Sequence, residues 1–108
     1  MSMTEGNPSE RRRARRIPCK IETDVLHDGS SIRGKILDLT IYGAFLSAPE
    51  LPARVSLIRL TFRVGVDREV TVKGRIVWQR ADEGIGVEFM ETTPENVKDI
   101  SEYLASLE

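Results

Sequence analysis

Polar and apolar residues alternate along most of the chain between Ile17 and Phe89, and this period of two is the pattern that most restricts the fold. In the first such segment, Ile21, Thr23 and Val25 share one face while charged residues occupy the other. Successive side chains of a strand point to opposite faces, so the pattern indicates a half-buried strand. The sequence predicts six strands, at about 17–25, 32–38, 42–46, 55–66, 70–78 and 85–89.

The period changes after Thr92. The apolar residues that follow recur at helical spacing, at Val97, Ile100, Leu104 and Leu107. Thr93 is a suitable N-cap because its hydroxyl can accept a backbone N–H, and Pro94 suits the first helical position. The sequence therefore predicts a terminal helix at about 94–107.

Short connections between the predicted strands favour antiparallel pairing. A six-stranded sheet with no helices between its strands tends to close, because closure removes exposed edges. We therefore predict an all-β fold, a six-stranded antiparallel small barrel with a C-terminal α-helix. Residues 11–108 form one domain in this interpretation, and residues 1–10, small and polar with Pro8, form a flexible tail.

Composition excludes several classes of protein. With 40% apolar and 31% charged residues, the chain is typical of a soluble globular domain. No apolar run approaches the roughly 20 residues of a membrane span, and the N-terminus lacks a secretory signal. Cys19 is the single cysteine and His27 the single histidine, so they cannot form a zinc site alone. We expect a cytoplasmic protein without a cofactor, in which Cys19 is a small buried hydrophobe and His27 a turn residue.

Arginines are concentrated near the start of a chain whose net charge is only -1. Five fall within six positions: Arg11, Arg12, Arg13, Arg15 and Arg16. A run of like charges repels itself, and a phosphate-bearing ligand would neutralise it. A solvated basic arm with no specific ligand is the alternative.

A second motif, Asp38-Leu39-Thr40-Ile41-Tyr42-Gly43, follows the second predicted strand. Asp38 and Thr40 are two residues apart, which places them on one face of an extended backbone. The carboxylate can accept hydrogen bonds from a guanine edge or an arginine, and the hydroxyl can bond a phosphate or a base. Gly43 can adopt a positive φ or allow close approach to the backbone. The structural alternative is a β-bulge or a turn with a local Asp cap.

These motifs resemble those of the PilZ domain, a bacterial receptor family for the second messenger cyclic di-GMP (c-di-GMP). The family's Arg-x-x-x-Arg motif corresponds to Arg12 to Arg16, followed here by Ile17-Pro18, and its Asp/Asn-x-Ser-x-x-Gly motif corresponds to Asp38 to Gly43. A late Val-Trp strand end and a Gly-x-Gly-Val-x-Phe segment are matched by Val77-Trp78 and by Gly84 to Phe89. The resemblance extends from about residue 10 to the C-terminus. Thr40 stands where the family usually has serine; the hydroxyl is kept, so we expect binding to survive.

The resemblance implies a cyclic di-GMP site and no catalytic or metal residues. Its ligand-binding residues are Arg11, Arg12, Arg16, Asp38, Thr40, Gly43, Ala44 and Trp78. In the family an extra arginine at the position of Arg11 is compatible with two stacked ligand molecules. Trp78 either contacts a base or belongs to the core. The implied function is that of a stand-alone receptor or adaptor, which signals to an unidentified protein effector in motility, surface attachment or envelope processes.

Two other functions remain open. The chain could be a small barrel that binds single-stranded nucleic acid through its arginines, or a PilZ-like interaction module that does not bind nucleotide. Aromatic residues are few, and the segment from Asp82 to Glu108 carries eight acidic residues against the single Lys98, which makes nucleic acid an unfavourable partner. An enzyme is not expected, because the sequence shows no histidine–nucleophile pair, metal cluster or glycine-rich loop opening a helix.

Overall fold

The computed structural model describes residues 17–80 and 83–107. Within them the chain forms six strands and one helix: β1 Ile17–His27, β2 Ser30–Leu39, β3 Gly43–Ser47, β4 Leu57–Val64, β5 Arg68–Arg80, β6 Gly84–Met90 and α1 Pro94–Ser106. The predicted tail at residues 1–10 and the arginine segment at 11–16 lie outside the described residues.

The six strands form a closed barrel in the order β1-β2-β3-β6-β5-β4, with β4 returning to pair with β1. Every pairing is antiparallel. Closure gives each strand two neighbours, so no long edge is left to pair with another chain. The predicted barrel with a C-terminal helix is confirmed.

Inward-facing side chains from all six strands fill the barrel. Six of them are 0% exposed: Val25, Ile36, Leu39, Leu46, Leu60 and Val70. Full burial of a side chain of this size contributes about 1.5–3 kcal/mol, so this cluster is the main source of stability. Thr23 is the buried polar residue of the described core, and its hydroxyl donates to the carbonyl oxygen of Thr61 at 3.1 Å.

Strand β4 is shorter than the sequence predicted. β4 ends at Val64 and not at Val66, because the chain turns at Gly65, whose φ of +70° lies in the left-handed region. Val66 is consequently 92% exposed at the hairpin tip. His27 was predicted to be a turn residue, but it is the last residue of β1 and directly precedes the turn at Asp28.

The helix begins as predicted. The Thr93 hydroxyl accepts a hydrogen bond from the backbone N–H of Asn96 at 3.1 Å, and Pro94 occupies the first helical position. Ile100 and Leu104 are the buried residues of α1, and they join the barrel core. The helix therefore acts as a lid on the core, where its apolar stripe completes the packing.

Polar contacts orient the helix against β5. The Asn96 side-chain amide donates to the carbonyl oxygen of Thr71 at 2.8 Å. Arg68 pairs with Asp99 and Glu102, two acids one helical turn apart. Such exposed ion pairs contribute little to stability, so they fix the orientation of the helix more than they hold it in place.

Cys19 lies half-buried near the start of β1, where its thiol donates to the carbonyl oxygen of Ile36 at 3.7 Å. Burial, together with the smaller effect of the negative charge of Asp38, raises the pKa of the thiol from 9.0 to about 11. The residue is therefore a neutral thiol packed against the core, in agreement with its predicted structural role.

The raised pKa of Cys19 should affect both the reactivity of the thiol and the pH dependence of stability. At about pH 8 the thiolate fraction is roughly a hundredfold smaller in the folded than in the unfolded chain, so we expect alkylation by iodoacetamide to be far slower in native than in urea-unfolded protein. Because the folded-state pKa lies above the unfolded value, the stability linked to this group is fully present below about pH 9 and is lost as the pH rises towards about 11. Urea midpoints measured across that window should fall in the wild type more than in Cys19→Ala. Equal alkylation rates in the two states would contradict the burial of the thiol.

Candidate functional site

A lateral row of paired residues crosses five strands at one level of the barrel. Pro18 on β1 pairs with Asp38 on β2, and Asp38 pairs with Phe45 on β3. Phe45 in turn pairs with Gly86 on β6, which pairs with Trp78 on β5. Residues directly opposite each other in a sheet present their side chains on the same face. The fold therefore brings the acid of the Asp-x-Thr motif and the late tryptophan onto one outer surface.

Register shifts accompany this row on three strands. They fall between Pro18 and Ile21 on β1, between Ile36 and Asp38 on β2, and between Ile76 and Trp78 on β5. A bulge inserts one extra residue and so turns the following side chain to the opposite face. Simple alternation from Ile36 and Ile76 would have placed Asp38 and Trp78 inside the barrel. The bulges direct both of them outward.

Trp78 is part of an exposed aromatic surface and not of the core. Its ring is 5.5 Å from that of Phe45, centroid to centroid, with an angle of 31° between the ring planes. The side chain remains 41% exposed, and the guanidinium carbon of Arg80 lies 5.9 Å from the ring centroid. An exposed indole next to a cation is a surface on which a flat, electron-rich group can stack. The alternative assignment of Trp78 to the core is wrong.

Gly86 makes room for this aromatic surface. A Cβ atom built on Gly86 would lie 2.3 Å from the indole Nε1 of Trp78, far inside contact distance. The indole therefore lies directly against the β6 backbone. Sequence reasoning assigned no site role to Gly86, Phe45 or Arg80. Phe45 alternates with the apolar residues Ala44 and Leu46, so period-two alternation could have placed its side chain on the outer face of β3.

The turn after β2 is organised by Thr40. Its hydroxyl oxygen accepts hydrogen bonds from the backbone N–H groups of Tyr42 at 2.9 Å and Gly43 at 3.1 Å. The Thr40 backbone N–H donates to the carbonyl oxygen of Gly43 at 2.9 Å. The sequence alternative named a local cap from Asp38, whereas the capping oxygen seen in this turn is that of Thr40. Its hydroxyl holds the turn that follows Asp38, and serine would offer the same oxygen.

The position of Gly43 requires glycine because the β6 backbone approaches it closely. Close approach was one of the two roles that the sequence predicted for this glycine, the other being a positive φ. A Cβ atom on Gly43 would lie 2.1 Å from the carbonyl oxygen of Val87 on β6. The residue does not have a positive φ. Since the neighbouring Tyr42 carbonyl accepts from the Phe89 N–H at 2.8 Å, this glycine lets the turn itself pair with β6.

Ala44 differs from the other predicted site residues because its side chain faces inward. It is 8% exposed, belongs to the core and pairs with Leu39 and Val87. Any contact of Ala44 with a ligand would therefore involve its backbone. Arg11, Arg12 and Arg16 lie outside the described residues, and what the structure shows is that β1 starts at Ile17, with Pro18 beside Asp38.

Other kinds of site receive no support from the residues that the structure describes. Residues 17–80 and 83–107 contain no group of three or more His, Cys, Asp or Glu side chains that could hold a metal ion. In the same ranges, no helix has the length and apolar character needed to cross a bilayer. The outer surface around Asp38, Phe45 and Trp78 is therefore the candidate site.

Replacement of Gly86 by alanine tests the aromatic surface. The new methyl group would displace the Trp78 ring, so we expect a red-shifted tryptophan emission and a loss of about 1–3 kcal/mol of stability, as is typical of overpacking. Trp78 is the only tryptophan of the chain, so the emission reports on it alone. Gly74→Ala is the matched control, since its methyl group would meet Val87 and not Trp78. The control should lose stability without a shift in emission. An unshifted spectrum in Gly86→Ala would disprove the packing of the indole on Gly86.

Comparisons with known proteins agree with this architecture. The sequence matches the PilZ domain family over residues 10–106. The structure is similar to the crystal structure of the PilZ domain of CeSA from a cellulose-synthesizing bacterium, with a TM-score of 0.61 and 23% identity over 87% of this chain and 98% of that one. It is also similar to Borreliella burgdorferi PlzA in complex with c-di-GMP, with a TM-score of 0.54 and 18% identity.

The similarity to PlzA covers 95% of this chain and 40% of the PlzA chain. No curated protein matched the sequence. The family match spans nearly the whole chain, including both the Arg-x-x-x-Arg and Asp-x-Thr-x-x-Gly segments. The resemblance seen in the motifs is therefore confirmed, and the chain belongs to the PilZ domain family.

Proposed function

We propose that this chain is a cyclic di-GMP receptor that binds the dinucleotide between its arginine segment and the surface of Asp38, Phe45 and Trp78. One observation carries the proposal: β1 begins beside Asp38, with Pro18 and Asp38 as direct partners. Arg16 precedes Pro18 by two residues in the sequence. The chain therefore enters the barrel at the surface that carries the acid and the tryptophan.

The chemistry of the ligand fits these residue types. Cyclic di-GMP carries two phosphates and two guanines. Arginine pairs with phosphate through two parallel hydrogen bonds, and it donates to the O6 and N7 atoms of guanine. A carboxylate such as Asp38 can accept hydrogen bonds from the N1–H and N2–H₂ groups of a guanine. The exposed face of Trp78 offers a surface on which a base can stack.

In this proposal the remaining motif residues do not contact the ligand through their side chains but hold the ligand-binding residues in place. Thr40 holds the turn through the Tyr42 and Gly43 N–H groups, and so fixes the end of β2 that carries Asp38. Gly43 keeps β3 close to β6, which carries Gly86 under the indole. Arg80, next to Trp78, would add a cation near a stacked guanine or a phosphate.

The proposed switch is the ordering of the arginine segment. Its five like charges repel each other until phosphates neutralise them, so we expect binding to fold the segment across the barrel surface. A newly formed surface of this kind can be recognised by a protein effector. The proposed role is therefore that of an adaptor that signals to an effector in motility, surface attachment or envelope processes.

Ligand identity is tested by calorimetry on the whole chain. We expect saturable binding of cyclic di-GMP, and little binding of GTP or single-stranded RNA at the same concentrations. Asp38→Asn should weaken cyclic di-GMP binding by about tenfold or more, since it removes a charged acceptor, while the melting temperature stays close to that of the wild type. Equal binding of all three nucleotides would favour a general basic surface, and no binding of any would favour an interaction module that does not use nucleotide.

The individual arginines can be separated by substitution. Arg12→Ala and Arg16→Ala each remove a charge-assisted contact worth about 1.5–3 kcal/mol, so we expect roughly ten- to a hundredfold weaker binding. Arg13→Ala is the matched control, because it removes the same charge at a position outside the Arg-x-x-x-Arg spacing. An equal loss in all three variants would mean that the segment acts through its total charge and not through a specific pair.

A further inference from the structure

An acidic side chain on the outer face of β6, that of Glu88, borders the candidate site. Glu88 falls within the Gly-x-Gly-Val-x-Phe segment, at a position where that motif allows any residue. It pairs with Gly43 on β3, two residues along the sheet from the pair of Phe45 and Gly86. Because side chains alternate along a strand, Glu88 is the next outward-facing residue of β6 after Gly86.

The sheet between Glu88 and the end of β2 is bare backbone at this level. Gly43 separates Glu88 from Thr40, whose N–H donates to the Gly43 carbonyl oxygen at 2.9 Å. Neighbouring strands lie about 4.8 Å apart, so the backbones of Thr40 and Glu88 are separated by roughly 10 Å. Glycine has no side chain to fill this space. A groove with Gly43 as its floor therefore separates Glu88 from the end of β2 that carries Asp38.

Arg75 on β5 holds the Glu88 side chain against the sheet. The two residues are direct cross-strand partners, and the Arg75 guanidinium donates through Nη2 to Glu88 Oε1 at 2.5 Å. The Glu88 side chain is 17% exposed. A carboxylate shielded from water attracts a cation more strongly than a fully exposed one does, and it can accept several hydrogen bonds at once. Glu88 is therefore suited to hold a second cation in a fixed place.

The arginine segment supplies such a cation. β1 begins at Ile17, whose partner on β2 is Leu39, the residue before Thr40. The segment at 11–16 therefore joins the barrel on the side of the Gly43 groove opposite Glu88. Its five arginines outnumber the charges considered so far, because the two phosphates of cyclic di-GMP and the carboxylate of Asp38 would balance three of them. A further acid next to the site would balance another.

We propose that Glu88 is a positioning residue of the nucleotide site, which pairs with one arginine of residues 11–16 when the segment folds over bound cyclic di-GMP. The inference rests on the proposed function. The long arginine side chain lies in the Gly43 groove and ties the segment to β6, so that neighbouring arginines meet the phosphates and guanines. Glu88 acts on the ligand through this arginine, and Arg75 keeps its carboxylate in place.

Calorimetry with cyclic di-GMP on the whole chain tests this role. Glu88→Gln keeps the size of the side chain and removes its charge, so we expect roughly tenfold weaker binding at a nearly unchanged melting temperature. Glu91→Gln is the matched control, because it removes a β5-paired acid that accepts from Lys73 Nζ at 3.0 Å outside the site. The control should bind normally. Equal binding by Glu88→Gln and the wild type overturns the inference and leaves the proposed function standing, whereas a wild type that does not bind overturns both.

Double-mutant cycles identify the arginine that pairs with Glu88. Glu88→Gln is combined in turn with alanine at each arginine of residues 11–16. For the partner arginine, the double variant should bind no more weakly than the arginine variant alone, because the pair is already broken. For the other arginines the two losses should add. Additive losses with all five arginines would mean that Glu88 does not act through the segment, and would overturn the inference.

Trypsin cleavage separates positioning of the segment from direct contact with the ligand. At saturating cyclic di-GMP, cleavage within residues 11–16 of the wild type should be slower than without the ligand. In Glu88→Gln, saturated at a higher ligand concentration, we expect cleavage to stay several-fold faster, because the segment is then held by the ligand alone. Equal protection of the two saturated proteins would assign the affinity loss to another cause and overturn the role of Glu88 in holding the segment.

Discussion

Closure of the barrel through the pairing of β4 with β1 is the constraint on which the other features depend. Once the sheet is closed, each strand has two neighbours whose register is fixed by the need to keep apolar side chains inside. That register places Pro18, Asp38, Phe45, Gly86 and Trp78 at one level of the barrel. The candidate site is thus a consequence of the same pairing that buries the core.

Small departures from regular pairing turn this outer surface into a site. The register shifts before Asp38 and Trp78 rotate both side chains out of the barrel. Glycines then allow close contact, since neither has a Cβ atom. The indole of Trp78 packs directly on Gly86, and the Val87 carbonyl lies directly against Gly43. Neither effect adds a chemical group. Both determine where the existing groups point, and so which of them can meet a ligand.

The two ends of β1 carry different chemistry. Its first residues adjoin Asp38, and its last residue is His27, which lines a cavity at the other end.

The sequence by itself determined the strands, the terminal helix and the family, because period-two alternation, the Thr93-Pro94 start and the three motifs are local patterns. It could not decide the direction of Asp38 and Trp78. Continued alternation would bury both, and the bulges that expose them depend on pairing with β3 and β6. The partners of Gly86 and the burial of His27 were likewise decided by the tertiary structure, because they involve strands distant in sequence that only barrel closure brings together.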